Sequence, residues 1–236
     1  MREAGRIVAA AKAKLAEVVE LGVTTAELDS VAEAEIRRQG AVPSFKGLYG
    51  FPATICASFN EEIVHGIPSD RAVQSGDILS LDVGTVVEGF HSDSAFSVGV
   101  GEITEEQRRL IEDTQQSLKA GIEQAIAGNR VGDISAAVQG YAEPLGYGIV
   151  RQYVGHGIGR DLHEDPQVPN VGVAGRGPLL REGMTLAIEP MLNLGTWKTS
   201  VKADGWTVVT ADGSWSAHFE DTIIITGNGA EVLSSP

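Results

Sequence analysis

A single cysteine, Cys56, is all the thiol chemistry this chain holds. It cannot close an internal disulfide, so nothing points to an oxidising compartment. Basic residues are scarce as well: 18 Lys and Arg stand against 32 Asp and Glu, a formal charge of −14. Such a surface repels phosphate backbones, which argues against nucleic acid or an anionic membrane as a direct partner. No apolar run approaches the ~20 residues of a membrane span. The opening Met1-Arg2-Glu3-Ala4-Gly5-Arg6 lacks the apolar core of a signal peptide. The cytoplasm is the expected compartment. Most of the negative charge needs no function, because acidic surface keeps a protein in solution. The informative carboxylates are those placed where water would not reach them.

What remains is an ordinary globular composition, with 42% hydrophobic residues and 29 glycines in 236 residues, enough to bury a sizeable core. Ile7, Val8, Ala11, Leu15, Val18 and Val19 fall at helical spacing until Gly22. Thr24-Thr25-Ala26-Glu27 reads as a capping box opening a second helix that ends at Gly40. From about residue 52 to 99 the runs become β-branched and strand-like, as in Ile78-Leu79-Ser80-Leu81-Asp82-Val83 and Ala95-Phe96-Ser97-Val98. Thr104-Glu105-Glu106-Gln107 then opens a third helix running through Ile126 to a stop at Gly128-Asn129. A fourth runs from near Asp133 to Gly146, and strand-like runs return at 148–154, 184–193, 206–210 and 217–226.

The order helix, helix, strands therefore occurs twice. Glu27-Leu28 falls opposite Asp133-Ile134, and Gly76 to Asp82 falls opposite Gly183 to Glu189. This is the pattern of an internal duplication, with halves of about 1–103 and 104–236. Two such halves would join their strands into one curved sheet with helices on the outer face. No linker separates them, so 1–236 is expected to be one domain.

On this alignment Asp82 and Glu189 occupy equivalent places, each ending an apolar run. A charge so placed is expensive to bury unless something neutralises it. Asp93 precedes Ser94-Ala95-Phe96, and Glu220 follows Ala217-His218-Phe219 and precedes Thr222-Ile223-Ile224-Ile225. Singly, each acid is more often a sheet-edge or turn residue than a ligand. If all four converge, their repulsion requires cations between them. His156 sits between glycines in Gly155-His156-Gly157-Ile158-Gly159, at a strand end where close backbone approach is allowed. A phosphate-binding loop fits that segment poorly, because the glycine spacing differs and no helix pattern follows. His65 and His163 are loop histidines, and each alone would be read as solvated.

Six segments stand out in order: Asn60 to Pro68, Leu81-Asp82-Val83 with Gly89 to Asp93, Gly155 to Gly159, His163-Glu164-Asp165-Pro166, Ile188-Glu189-Pro190-Met191 and Phe219-Glu220-Asp221-Thr222. Together they closely resemble the motifs of bacterial type I methionine aminopeptidases. The resemblance covers essentially the whole chain. It implies an α+β pita-bread fold: a pseudo-twofold, mostly antiparallel curved sheet with helices on its outer face. It also implies two divalent metal ions held by Asp82, Asp93, His156, Glu189 and Glu220. Asp93 and Glu220 would bridge both ions, Asp82 would chelate one, and His156 with Glu189 would hold the other. Mn, Fe, Co and Zn all suit such a donor set. By the same resemblance the nucleophile is a metal-activated water and Glu189 the general base. His163 would stabilise the oxyanion, and His65 would lie near the substrate amine or leaving nitrogen. Cys56, His65, Phe51 and Trp206 would line an apolar methionine pocket.

The implied substrates are nascent polypeptides beginning with Met, preferably with small second residues, and the implied state is a monomer. Association with the ribosome is left open. Phe45, Leu48, Phe51 and Leu162 depart from the common bacterial pattern, which keeps the wall apolar but alters the rim. By the standard of that family the chain starts inside the first helix, as a trimmed or a short natural start would. Two rival readings stand beside this one. A proline-specific aminopeptidase or dipeptidase of the same fold shares the five ligands but usually carries an extra N-terminal domain. A non-catalytic pita-bread binding module would be expected to have lost ligands.

Overall fold

Leu79, Leu81 and Val83 alternate along one strand with Ser80, Asp82 and Gly84. Successive strand residues point to opposite faces, so one face of this strand is apolar and the other is not. The computed structural model, which describes residues 1–235, shows what each face meets. Four helices, α1 (Arg2–Val18), α2 (Thr25–Arg38), α3 (Glu105–Glu123) and α4 (Val131–Ala142), accompany a nine-stranded sheet. Its strands are β1 (Val42–Pro43), β2 (Ile55–Phe59), β3 (Ile78–Val87), β4 (Phe90–Gly99), β5 (Gly155–Gly157), β6 (Glu164–Val168), β7 (Thr185–Ile188), β8 (Glu220–Thr226) and β9 (Gly229–Val232). The spatial order is β1-β3-β4-β8-β7-β5-β6, with β2 also on β3 and β9 also on β8, and every pairing is antiparallel. This is the expected α+β architecture.

The apolar face is covered by the helices. Ile7, Leu15, Leu28 and Ile36 from α1 and α2 pack with Leu79, Leu81 and Val83 of β3. Leu118 and Ile134 from α3 and α4 pack with Leu186, Ile188, Ile223 and Ile225 of β7 and β8. Fully burying side chains of this size contributes about 1.5–3 kcal/mol each. Both capping boxes form: Thr24 Oγ1 accepts from Glu27 N, and Thr104 Oγ1 accepts from Gln107 N.

The other face carries the polar residues. Directly opposed residues on neighbouring strands share a face. Cys56 opposes Asp82, Asp82 opposes Ala95, and Ala95 opposes Glu220. In the next row Gly84 opposes Asp93, and Ala187 opposes both Thr222 and His156. Sheet register alone thus assembles Asp82, Asp93, Glu220 and His156 on the face turned away from the helices. On the helix side, Lys12 of α1 reaches Ser94 and Asp221, and Ser94 Oγ donates to the Glu220 carbonyl at 2.6 Å.

Several boundaries differ from the sequence expectation, each for a physical reason. Glu189-Pro190 splits the 184–193 run into β7 and a separate strand Met191–Asn193, because proline cannot donate to a ladder. The 217–226 run is likewise two strands, Ser216–His218 and β8, and the Phe219 N–H between them goes to the Pro190 carbonyl. Of 148–154 only Gly148–Ile149 is strand, and of 206–210 only Val208–Thr210. The α3 helix stops at Glu123, short of Ile126, so that Gly128, at φ +97°, can donate to Leu180 O. Asp82 lies in the middle of β3 rather than at a strand end, and Asp93 lies within β4 rather than before it. The segment after His163, which lies outside the strand-like runs read from the sequence, is β6.

Gly5 lies in α1, where alanine normally gains about 1 kcal/mol of helix propensity. A Cβ there would stand 2.1 Å from the Leu233 carbonyl oxygen, which belongs to backbone and cannot swing aside. Overpacking of that kind costs about 1–3 kcal/mol. Gly5→Ala is therefore expected to lower the thermal midpoint despite its better propensity. A variant as stable as the parent in urea unfolding would show that α1 and the Leu233 segment are not held together in this way.

Candidate active site

Of the acids on the sheet's open face, two are buried and two, Asp82 and Glu189, are half-buried. Asp93 is 4% exposed and Glu220 is 2% exposed. Burial pushes the Asp82 carboxyl up to about 7, although a hydrogen bond from Asp93 acts against it. Burial also holds Asp93 and Glu220 well above the usual carboxylate range. The Asp82 and Glu189 charges add to this at Asp93, and the Asp93, Glu189 and Asp82 charges add to it at Glu220. Glu189 is raised in the same way, by burial and then by Asp82. These are the signatures of like charges forced together in a low-dielectric space. Asp82 Oδ1 and Glu220 Oε1 have no hydrogen-bond partner.

His156 completes the cluster from β5. Its Nε2 lies 3.8 Å from Glu189 Oε1 and 4.0 Å from Glu220 Oε1. Its Nδ1 is 2.9 Å from the Gly157 carbonyl, which can only accept. The proton therefore sits on Nδ1, and Nε2 offers a lone pair to the cluster. Burial lowers the His156 pKa to about 4, keeping the ring neutral. One ligand atom each from Asp93, His156 and Glu220 lie within 4.8 Å of one another. Hard carboxylate oxygens, two of them orphaned, together with one neutral imidazole fit a divalent cation.

His163 stacks edge-on against His156, with ring centroids 4.5 Å apart. Its pKa is lowered by burial and by the nearby His91. His65 sits 5.7 Å from the Tyr153 ring, and burial lowers its pKa to about 4. Its φ of +60° is an uncommon left-handed conformation for a residue with a Cβ. The turn is held by its neighbour Gly66, where a Cβ would meet the Ala57 carbonyl oxygen at 2.2 Å.

An apolar wall adjoins the cluster. Phe45, Phe51, Cys56 and Leu162 form one buried group, with Leu48 and Trp206 packed against it. Phe51 meets Trp206 edge-to-face at 5.2 Å. Burial, and then the Asp82, Asp93 and Glu220 charges, push the Cys56 thiol up, so it behaves as a small hydrophobe. Tyr49, exposed and at φ +50°, stands at the rim.

One pocket contains every site residue named from the sequence: Asp82, Asp93, His156, Glu189 and Glu220, with His65 and His163, and with Cys56, Phe51 and Trp206. The departures at Phe45, Leu48 and Leu162 line it too. The same pocket holds one more histidine, to which the motifs assign no role. His218, 2% exposed, faces Glu189 Oε2 at 3.8 Å and Glu220 Oε2 at 4.0 Å. Burial lowers its pKa to about 3. The available signal was its place two residues before Glu220 in an extended segment, which points both side chains the same way.

Comparison with known proteins adds the family. A model of metallopeptidase family M24 matches residues 1–227. A methionine aminopeptidase of Clostridium perfringens is 53% identical over 99% of this chain and 94% of its own length. Methionine aminopeptidase 1 of Bacillus subtilis is 50% identical over the same shares. The crystal structure of the methionine aminopeptidase of Thermotoga maritima superposes with a TM-score of 0.99 at 45% identity, covering 100% of this chain and 95% of that one. A fold, a buried acid–imidazole cluster and a family match along almost the whole chain agree: this chain belongs to metallopeptidase family M24.

Proposed function

We propose that this chain is a methionyl aminopeptidase that removes the N-terminal methionine from nascent polypeptides. The observation that carries the reading is the adjacency, in one pocket, of an apolar wall and a buried acid–imidazole cluster. A first side chain seated against Phe51, Cys56 and Trp206 leaves its own amine and carbonyl beside the acids. Methionine suits such a wall, being unbranched, apolar and adaptable. The named relatives, at about half identity over the full chain, support methionine over the proline-specific alternative. The reading takes the chain as one catalytic domain built of two related halves, monomeric and cytoplasmic. The halves are supported by matching bridges, Thr24 with Ala72 and Arg130 with Leu179, at the start of the second helix in each.

Asp82, Asp93, His156, Glu189 and Glu220 would hold two divalent cations, Mn, Fe, Co or Zn. Bound there, the cations supply Lewis acidity and make a water acidic enough to act as nucleophile near neutral pH. The chain's own groups do the rest. Glu189 accepts the proton of the attacking water. His163 donates to the oxygen of the scissile carbonyl as charge develops on it. His65 lies near the substrate amine or the leaving nitrogen. Burial keeps His65 and His156 neutral, so neither repels a cation.

Met-Ala-Ser should be cleaved readily, the same peptide blocked at its amine should not be, and Met-Lys peptides should be poor substrates. Release of free methionine checks this. Equal rates on Met-Ala and Met-Lys, or cleavage of a proline-bearing dipeptide in preference to both, would refute the assignment.

Exhaustive chelation should abolish activity and lower the thermal midpoint, and Mn or Co should restore both. The pH dependence of that stabilisation has a definite sign. The cluster's carboxyls have raised pKa values in the fold, Asp82 at about 7. Their contribution to metal-free stability is present below the ordinary carboxylate range and is lost as pH rises through the folded values. Cation binding needs the same groups ionised. The gap in thermal midpoint between loaded and metal-free protein should therefore widen from acidic to mildly alkaline pH. A constant gap would contradict this electrostatic account.

His163 and His156 should separate in mutagenesis. Loss of a donor that acts on developing charge appears mainly in kcat and costs on the order of a hundredfold. His163→Ala should keep its metal content and lose about that much turnover, whereas His156→Ala should lose metal as well. Metal stoichiometry and kcat, measured side by side, decide it. A fully active His163→Ala, or one that sheds metal as readily as His156→Ala, would reverse the roles.

A further inference from the structure

Two imidazoles, not one, flank the Glu189 and Glu220 carboxylates. His156 Nε2 faces Oε1 of each, at 3.8 and 4.0 Å, and His218 Nε2 faces Oε2 of each, at 3.8 and 4.0 Å. Each carboxylate thus presents one oxygen to each ring.

The rings differ in what fixes their protons. The Gly157 carbonyl holds the His156 proton on Nδ1, leaving Nε2 as an acceptor. The His218 ring has no carbonyl of this kind among the described residues. Its backbone exchanges hydrogen bonds with Ser97 Oγ, and its Nε2 is buried without a partner. With two carboxylate oxygens in front of it, which accept when ionised, Nε2 is the nitrogen that carries the proton.

We propose that His218 is a positioning residue whose Nε2–H holds the Oε2 oxygens of Glu189 and Glu220, leaving their Oε1 oxygens turned toward His156. The separations exceed a hydrogen bond, so the N–H acts on both carboxylates at once rather than closing on one. Register supports the role. Met191 opposes His218, so the segment after Glu189-Pro190 and the segment before Glu220 are paired at this point. The ring is thereby fixed to both strands whose acids it orients. Groups that orient metal ligands without touching the metal typically change metal affinity by about 10–100-fold. The inference rests on the reading of Glu189 and Glu220 as metal ligands.

The test compares the parent protein with His218→Leu, which removes the donor, and His218→Gln, which keeps an N–H at similar reach. Mn(II) is titrated into each metal-free protein by calorimetry, and kcat and KM are measured on Met-Ala-Ser at saturating Mn(II). His218→Leu should bind Mn(II) about 10–100-fold more weakly. His218→Gln should recover most of that loss. KM should change little in either, because the ring's effect runs through the carboxylates. Should His218→Leu fail to fold, His218→Asn takes its place, since its shorter amide cannot reach as far. Parent-like affinity in the donor-less variant overturns the proposal. So does a His218→Gln as weak as His218→Leu, which would make the ring a ligand or a packing element. A parent protein that binds no Mn(II) overturns the metal reading itself, and this inference with it.

Discussion

The structure is organised around the burial of like charge. Asp82, Asp93, Glu189 and Glu220 share one pocket, and each has its pKa raised. Two unit charges 4 Å apart interact by about 4 kcal/mol at an effective dielectric of 20. A single such pair is already comparable with the lower end of the about 5–15 kcal/mol by which a domain is usually stable. Protons or cations on the cluster relieve that repulsion. The rest of the sheet's open face makes room for them: Ala95 stands between Asp82 and Glu220, and Ala187 beside His156.

The opposite face resists that strain. Two apolar cores, one beneath α1 and α2 and one beneath α3 and α4, press on the strands that carry the acids. Phe96 of β4 packs against both. Lys12 adds a positive charge from behind, and its field acts to lower the Asp82 pKa. The site is thus held by one rigid sheet. Its apolar wall lies at the β2 end, where Cys56 opposes Asp82.

Much of this was legible in one dimension. The helices declare themselves by spacing and by capping boxes at Thr24 and Thr104, because those signals are local. The acids were conspicuous because each interrupts or borders an apolar run. Their meeting was not legible from local chemistry. It depends on β8 pairing with β4 and β7, contacts between segments more than a hundred residues apart in the case of Glu220 and Ala95. Only whole motifs, matched in order, carried that information. Strand limits are not legible where a single group decides them, as Pro190 does between β7 and Met191–Asn193. His218 escaped because a buried histidine in an apolar run reads as core. Its significance lies in two carboxylates, one of which is far away in sequence.

The position of β8 has a consequence for synthesis. This strand, Glu220–Thr226, lies between β4 and β7 and so joins the two parts of the sheet. A ribosome delivers it after every other strand of the sheet except β9. Until then, the first-half strands carry Asp82 and Asp93 against an open edge, and no arrangement of the available chain can gather all four acids. Long-range pairing of this kind is slow and exposes unpaired edges. The pocket proposed to hold cations is thus complete only once β8 has paired with both β4 and β7.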